Sequence, residues 1–134
     1  MSIQSLLEAD WYTRNYETRE YHLAYSKLIE AARNRGTVTY QELADVMDKI
    51  PHGSHLAQTS GGMGGAINLN EHLHGRPMLS AILVNISGKP GEGFFQLARD
   101  LGRLRSNHPA DEERFWEEEK RAVYEVWQKS FKAK

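Results

Sequence analysis

Gly36-Thr37-Val38-Thr39-Tyr40-Gln41-Glu42-Leu43-Ala44 is the stretch whose reading decides the fold. Gly36 suits the position just beyond a helix end, where a residue without Cβ turns the chain at little cost. Thr37-Val38 is short and β-favouring, which reads as a brief strand. Thr39 with Glu42 three residues on is a capping box: the Thr39 hydroxyl caps the new helix and the Glu42 carboxylate reaches back to the Thr39 amide. The helix that follows, about ten residues, carries Leu43, Ala44 and Met47 and ends before Pro51. Upstream, Tyr21, Tyr25, Leu28 and Ala32 step by four, three and four, predicting a helix from about Glu17 to Arg35. Arg33 and Arg35 suit its C-terminal dipole. Two helices with so short a connection form a helix–turn–helix-like pair.

Outward from this pair, Ile3, Leu6, Leu7 and Trp11 place a helix from Ile3 to about Tyr12, interrupted at Arg14-Asn15. His52 to Gly65, with five glycines, begins as loop and becomes a helix whose inward residues are Met63, Ala66, Ile67, Asn70 and Leu73. Gly75-Arg76-Pro77 stops it. Leu79 to Asn85 reads as a strand, Ser87 to Gly93 as a turn, and Phe94-Phe95 as a short return strand completing a β-hairpin. Leu97, Ala98, Leu101 and Leu104 mark a helix ending near Arg105. A last helix runs from His108-Pro109 to about Phe131, with Trp116, Val123, Trp127 and Phe131 as its buried stripe. The expected fold is mainly α with a small β-hairpin: a winged helix-turn-helix with extra N- and C-terminal helices. The 134 residues suit a single domain, with a winged-helix core at about 17–105 and a C-terminal helix at about 109–131.

Composition removes several classes of function. With no cysteine there is no disulfide framework, thiolate zinc site or thiol nucleophile. No apolar run approaches the ~18 residues a membrane span needs. Met1-Ser2-Ile3-Gln4 lacks a signal-peptide pattern, so a cytoplasmic location and no membrane partner are expected. A formal net charge of −1 gives no global attraction to nucleic acid.

The run from Arg35 to Ala44 resembles the start of the DNA-binding domain of alkylguanine-DNA alkyltransferases, which carries Gly-x-Val-x-Thr/Ser-Tyr-x-x-Leu/Ile-Ala. Gly64-Gly65-Ala66-Ile67, followed by Asn70, resembles that family's recognition helix. Leu79 to Val84 and Gly88 fall where the family has its active-site strand and the glycine after it. The resemblance spans about Tyr25 to Phe95, roughly half the chain. The family's Pro-Cys-His-Arg motif aligns with Leu79-Ser80-Ala81-Ile82, and its arginine finger with Gly61. Nucleophile, histidine and arginine are thus missing, and alkyl transfer is excluded chemically. What the resemblance implies is a non-enzymatic, alkyltransferase-like protein contacting duplex DNA along its backbone or minor groove. The expected nucleic-acid contacts are Thr39, Tyr40, Gln41, Ser60, Gly61, Gly62, Gly64, Gly65, Asn68, Arg76 and Lys89. The glycines either let a phosphate backbone approach a helix start or let helices pack closely within the domain. The alternative function is a winged-helix adaptor for a protein partner, within a DNA-processing or other complex.

Local charge bears on that choice. Thr37 to Gly75 holds four acids against Lys49, a formal −3, whereas Arg76 to Arg105 holds five bases against Glu92 and Asp100, a formal +3. A DNA-binding face therefore needs Arg76, Lys89, Arg99, Arg103 and Arg105, with the wing as its tip. No catalytic, metal or cofactor site is expected. His72 and His74 on a helix point about 200° apart and do not share an ion. Gly61-Gly62-Met63-Gly64-Gly65 has neither the preceding strand nor the spacing of a dinucleotide fingerprint. Ser80 reads as a strand residue with no adjacent base. Glu117, Glu118 and Glu119 read as a solvated helix face.

Overall fold

Thr18 and Thr39 each cap a helix that frames the fold. In the computed structural model, which describes residues 2–48 and 55–129, the elements are α1 (Ile3–Leu7), α2 (Asp10–Thr13), α3 (Arg19–Arg33), β1 (Val38–Thr39), α4 (Tyr40–Val46), α5 (His55–Leu73), a 3-10 turn (Leu79–Ile82), β2 (Leu83–Val84), α6 (Glu92–Asp100) and α7 (Pro109–Lys129). The protein is mainly helical with a small two-stranded parallel sheet. Thr18 accepts from the Tyr21 amide and opens α3. The Thr39 capping box is present in full: its hydroxyl accepts from the Glu42 amide at 3.1 Å, and its amide donates to the Glu42 carboxylate at 2.8 Å. Among the described residues no helix is long and apolar enough to cross a membrane.

The end of α3 departs from expectation at one residue. Gly36 donates to the Ala31 carbonyl at 2.8 Å and Arg35 to Ala32 at 3.2 Å, a Schellman turn. The left-handed position in it is Arg35, at φ 54°, and not Gly36. The N-terminal helix also breaks earlier than expected, between Leu7 and Asp10. Phe131, at the end of the last expected stripe, lies outside the described residues.

The hairpin is the larger correction. β1 and β2 pair in parallel, Val38 with Leu83 and Thr39 with Val84. Phe94 and Phe95 lie inside α6, where Phe94, Leu97 and Ala98 form its buried face. A parallel pair needs a long crossover, and α4 and α5 supply it. The first half of the expected strand winds into the 3-10 turn because side chains satisfy its backbone. Asn68 Oδ1 accepts from the Ser80 amide at 2.9 Å, and Trp116 Nε1 donates to the Ala81 carbonyl at 2.8 Å. With those groups paired, no neighbouring strand is required.

One core collects side chains from Leu6 to Val123, and α5 runs through its middle. Met63, Ala66, Ile67 and Leu69 are buried, together with Asn68 and Glu71. A helix enclosed on nearly all sides has no single outward stripe, so Leu69, Asn68 and Glu71 are buried beside the expected Met63, Ala66 and Ile67, and Asn70 is half-buried. Leu73, expected inside, is 48% exposed. The α7 helix straps this assembly. Its Glu119 carboxylate accepts from the Met78 amide at 2.7 Å, and its Tyr124 hydroxyl donates to the Gly36 carbonyl at 2.8 Å.

Candidate nucleic-acid interface

The glycine-rich stretch lies in the second and third turns of α5, not at its start, so its amides belong to the helix ladder. A Cβ built on Gly65 meets the Trp11 ring at 3.2 Å, and one on Gly62 meets Asn15 Nδ2 at 3.5 Å. Asn15 is itself held by donation to the Trp11 carbonyl at 2.7 Å. Gly64 turns the other way, with Leu83 Cδ2 at 2.9 Å and Ser80 Cβ at 3.3 Å from its virtual Cβ. Three of the four α5 glycines expected to meet a duplex are thus packing glycines, occupied by α2, the following turn, the 3-10 turn and β2. Gly61 alone faces open space.

The remaining expected contacts are distributed as follows. Ser60 is fully buried and donates to the Tyr40 carbonyl at 2.7 Å. Asn68 is buried, with its amide donating to Ser80 Oγ at 2.6 Å, so it joins α5 to the 3-10 turn and meets no solvent. Tyr40 is half-buried, and its hydroxyl is held against the Gly91 backbone. Burial raises its pKa, while a hydrogen bond from Gly91 acts in the opposite direction. The Thr39 hydroxyl serves as the cap. Gln41 is exposed at the outer edge of α4 and donates to Asp45 at 2.9 Å. Of the eleven, Gln41 and Gly61 remain accessible without a tertiary role.

The five cations do not form one basic face. Arg76 donates to the fully buried Glu71 carboxylate at 2.7 and 3.0 Å and lies over the Trp127 ring at 5.7 Å. That bond to Glu71 holds the Arg76 pKa above its ordinary value. A Schellman turn at Gly75, φ 73°, folds Arg76 back over Glu71. Tyr25 completes the cluster, donating its hydroxyl to Glu71 and accepting from Asn70 at 3.0 Å. Arg99 pairs with Glu112 at 2.9 Å and Glu92 at 3.1 Å. Arg103 bonds Glu119 at 3.0 Å, the Arg76 carbonyl at 2.9 Å and His72 Nδ1 at 2.9 Å. Lys89 lies 3.4 Å from Glu113 and 5.1 Å from the Trp116 ring centre. Arg105 is exposed and makes no ion pair among the described residues. Arg76 and Lys89 contact α7 at Trp127 and Glu113, fourteen positions apart, or about 21 Å along the helix. The expected face joining both to the glycines is therefore not assembled.

Sequence reasoning missed Trp11, Asn15, Glu71 and Glu119. Gly62 and Gly65 sit three apart on one helical stripe, and the bulk that meets it comes from Asn15 at Gly62 and the Trp11 ring at Gly65. Glu71 and Glu119 carried no such signal, because a helical glutamate normally faces water. Glu119 is no part of a solvated face: its carboxylate joins Met78 and Arg103. Ser80 is in a 3-10 turn, and its hydroxyl accepts from the Asn68 amide. The His72 ring accepts from Arg103, whereas His74 Nδ1 lies 2.8 Å from the Asn70 carbonyl, so the two rings serve different partners.

Neither a family model, nor a curated protein, nor a solved structure matches this chain.

Proposed function

We propose that this protein is a non-enzymatic helical module that binds a protein partner, the adaptor reading of its sequence. The observation that carries it is the internal use of charge: Arg76, Lys89, Arg99 and Arg103 are each paired with a carboxylate of the same chain. A phosphate backbone is held by cations free to replace its counterions, and these four would first have to leave their partners. The Ser80 hydroxyl, bonded to an amide and not to a base, supports no nucleophilic chemistry. The test is fluorescence anisotropy of a labelled duplex at low and at physiological ionic strength. The reading expects no saturable binding at either; saturable binding with a steep salt slope would count against it.

One observation favours the DNA reading as a second. α4, opened by the Thr39 capping box, packs against α5, with Gln41 and the open Gly61 on accessible positions. A winged-helix plan on this chain would have to work without a β wing, using the 85–89 turn in its place. It expects Gln41→Ala and Gly61→Leu each to weaken duplex binding.

A further inference from the structure

His72, in the last turn of α5, and His74, just past its end, have rings held in opposite senses. Arg103 Nε donates to His72 Nδ1 at 2.9 Å. A guanidinium has only donors and keeps its proton, so Nδ1 of His72 is the bare nitrogen and the neutral ring carries its hydrogen on Nε2. His74 Nδ1 lies 2.8 Å from the Asn70 carbonyl, which only accepts, so there Nδ1 carries the hydrogen. Protonation therefore acts oppositely on the two rings. On His74 the proton adds to Nε2 and leaves the bond to Asn70 in place. On His72 it adds to Nδ1, where it sets a donor against a donor and a positive ring against a guanidinium.

Arg103 is anchored without His72. Its terminal nitrogens donate to Glu119 of α7 at 3.0 Å and to the Arg76 carbonyl at 2.9 Å. Glu119 also accepts from the Met78 amide at 2.7 Å. The end of α5 is thus a third attachment on a side chain that already ties α7 to the 76–78 segment. The other charged groups of the surrounding elements have their own partners. Glu71 of α5 is held by Arg76 and Tyr25. On α6, Arg99 pairs with Glu92 and Glu112, and Asp100 accepts from Gln96. Further along the α6–α7 connection lie the exposed Arg105 and His108, whose Nδ1 accepts from the Ala110 amide. Among the described residues no carboxylate pairs with the His72 ring, and Arg103 is the charge that acts on it.

We propose that the His72–Arg103 contact is an acid-opened joint: neutral His72 closes the end of α5 onto the α6–α7 connection, and protonation at Nδ1 opens that contact while Arg103 stays on Glu119. The device is independent of which partner the protein binds. Burial, and then the Arg103 charge, hold the His72 pKa below its ordinary 6.5, so the joint is closed at neutral pH and opens below 6.5.

The experiment is an NMR pH titration of the 15N-labelled full chain from neutral to mildly acidic pH, reading the imidazole nitrogens and the Arg103 Nε–H. At neutral pH the expected tautomers are Nε2–H for His72 and Nδ1–H for His74. The Arg103 Nε–H should be protected from exchange at neutral pH and lose that protection at the His72 midpoint, below 6.5, with amide shifts over 101–105 following the same curve. Amides of α3 should hold their shifts through this range, which separates opening of the joint from unfolding. In His72→Gln the side-chain carbonyl still accepts from Arg103 but does not titrate, so the transition at Arg103 should vanish. His74→Gln and His108→Gln should leave it in place. None of the three histidines is buried, and circular dichroism should show the variants as folded as wild type. Four results each overturn the joint, and the first two need no variant. They are an Nδ1–H tautomer or a midpoint at or above 6.5 for His72, α3 amides moving together with the Arg103 Nε–H, an Arg103 signal unchanged by pH, and a transition that persists in His72→Gln.

Discussion

An alanine scan of the α5 glycines separates packing from exposure by sign. Replacing a helix-interior glycine with alanine gains roughly 0.5–1 kcal/mol of helix propensity wherever the new methyl meets nothing. Gly61 has no neighbour within 4 Å, so Gly61→Ala should stabilise by about that amount. Gly62 has an ordinary contact at 3.5 Å, so Gly62→Ala should gain somewhat less. At Gly65 the methyl meets the Trp11 ring at 3.2 Å, which must yield by a few tenths of an ångström, and gain and strain should nearly cancel. At Gly64 the methyl meets Leu83 at 2.9 Å and Ser80 at 3.3 Å, both buried, and Ser80 is held by two bonds to Asn68. Overpacking of this kind costs about 1–3 kcal/mol, which outweighs the propensity gain and leaves Gly64→Ala destabilised. Urea unfolding of the four variants, followed by far-UV circular dichroism, gives the order 61, 62, 65, 64 from most to least stable. A Gly64→Ala protein as stable as Gly61→Ala would refute the claim that α5 is enclosed.

Three further outcomes are expected. Thr39→Ala removes one half of the capping box and should cost about 0.5–2 kcal/mol, read as a lower Tm. Arg76→Met and Glu71→Gln, singly and together, should show a coupling of about 1–3 kcal/mol in denaturant unfolding, because Arg76 is the charged partner of a fully buried carboxylate; additive single effects would mean that the pair does not form. Burial, and then the Arg103 charge, lower the His72 pKa from its ordinary 6.5. The unfolded chain therefore binds the proton more readily than the folded one, so stability is full above 6.5 and falls as the pH drops below it. In thermal melts from neutral to mildly acidic pH, His72→Gln should flatten that decline; an unchanged slope would assign the acid sensitivity elsewhere.

What was legible in the sequence was local. The Thr39–Glu42 box needs only its own four residues, and the α3 and α7 stripes repeat over several turns, so both were readable without knowing any partner. Leu79 to Val84 was misread because an apolar run of that length fits a strand or any other buried segment. The choice was made by Asn68 and Trp116, which are 12 and 35 residues away from their partners. Phe94-Phe95 looked like strand for its aromatic content, yet with Leu97 and Ala98 it gives α6 a helical buried face. At the candidate site the sequence leaves the glycines open to two readings, and the positions of Trp11, Asn15, Ser80 and Leu83 decide three of them. The cations were counted correctly and placed wrongly: charge along a sequence does not reveal which carboxylate the fold brings to it.

The most direct test of the central claim is a backbone amide NMR titration of the 15N-labelled protein with a short duplex at low ionic strength, which reads every described surface at once. The account predicts no saturable shifts at Thr39, Tyr40 and Gln41, at residues 58–65, or at Arg76 and Lys89. Saturable shifts clustered on those residues, and displaced by salt, would contradict it and restore the duplex as the partner.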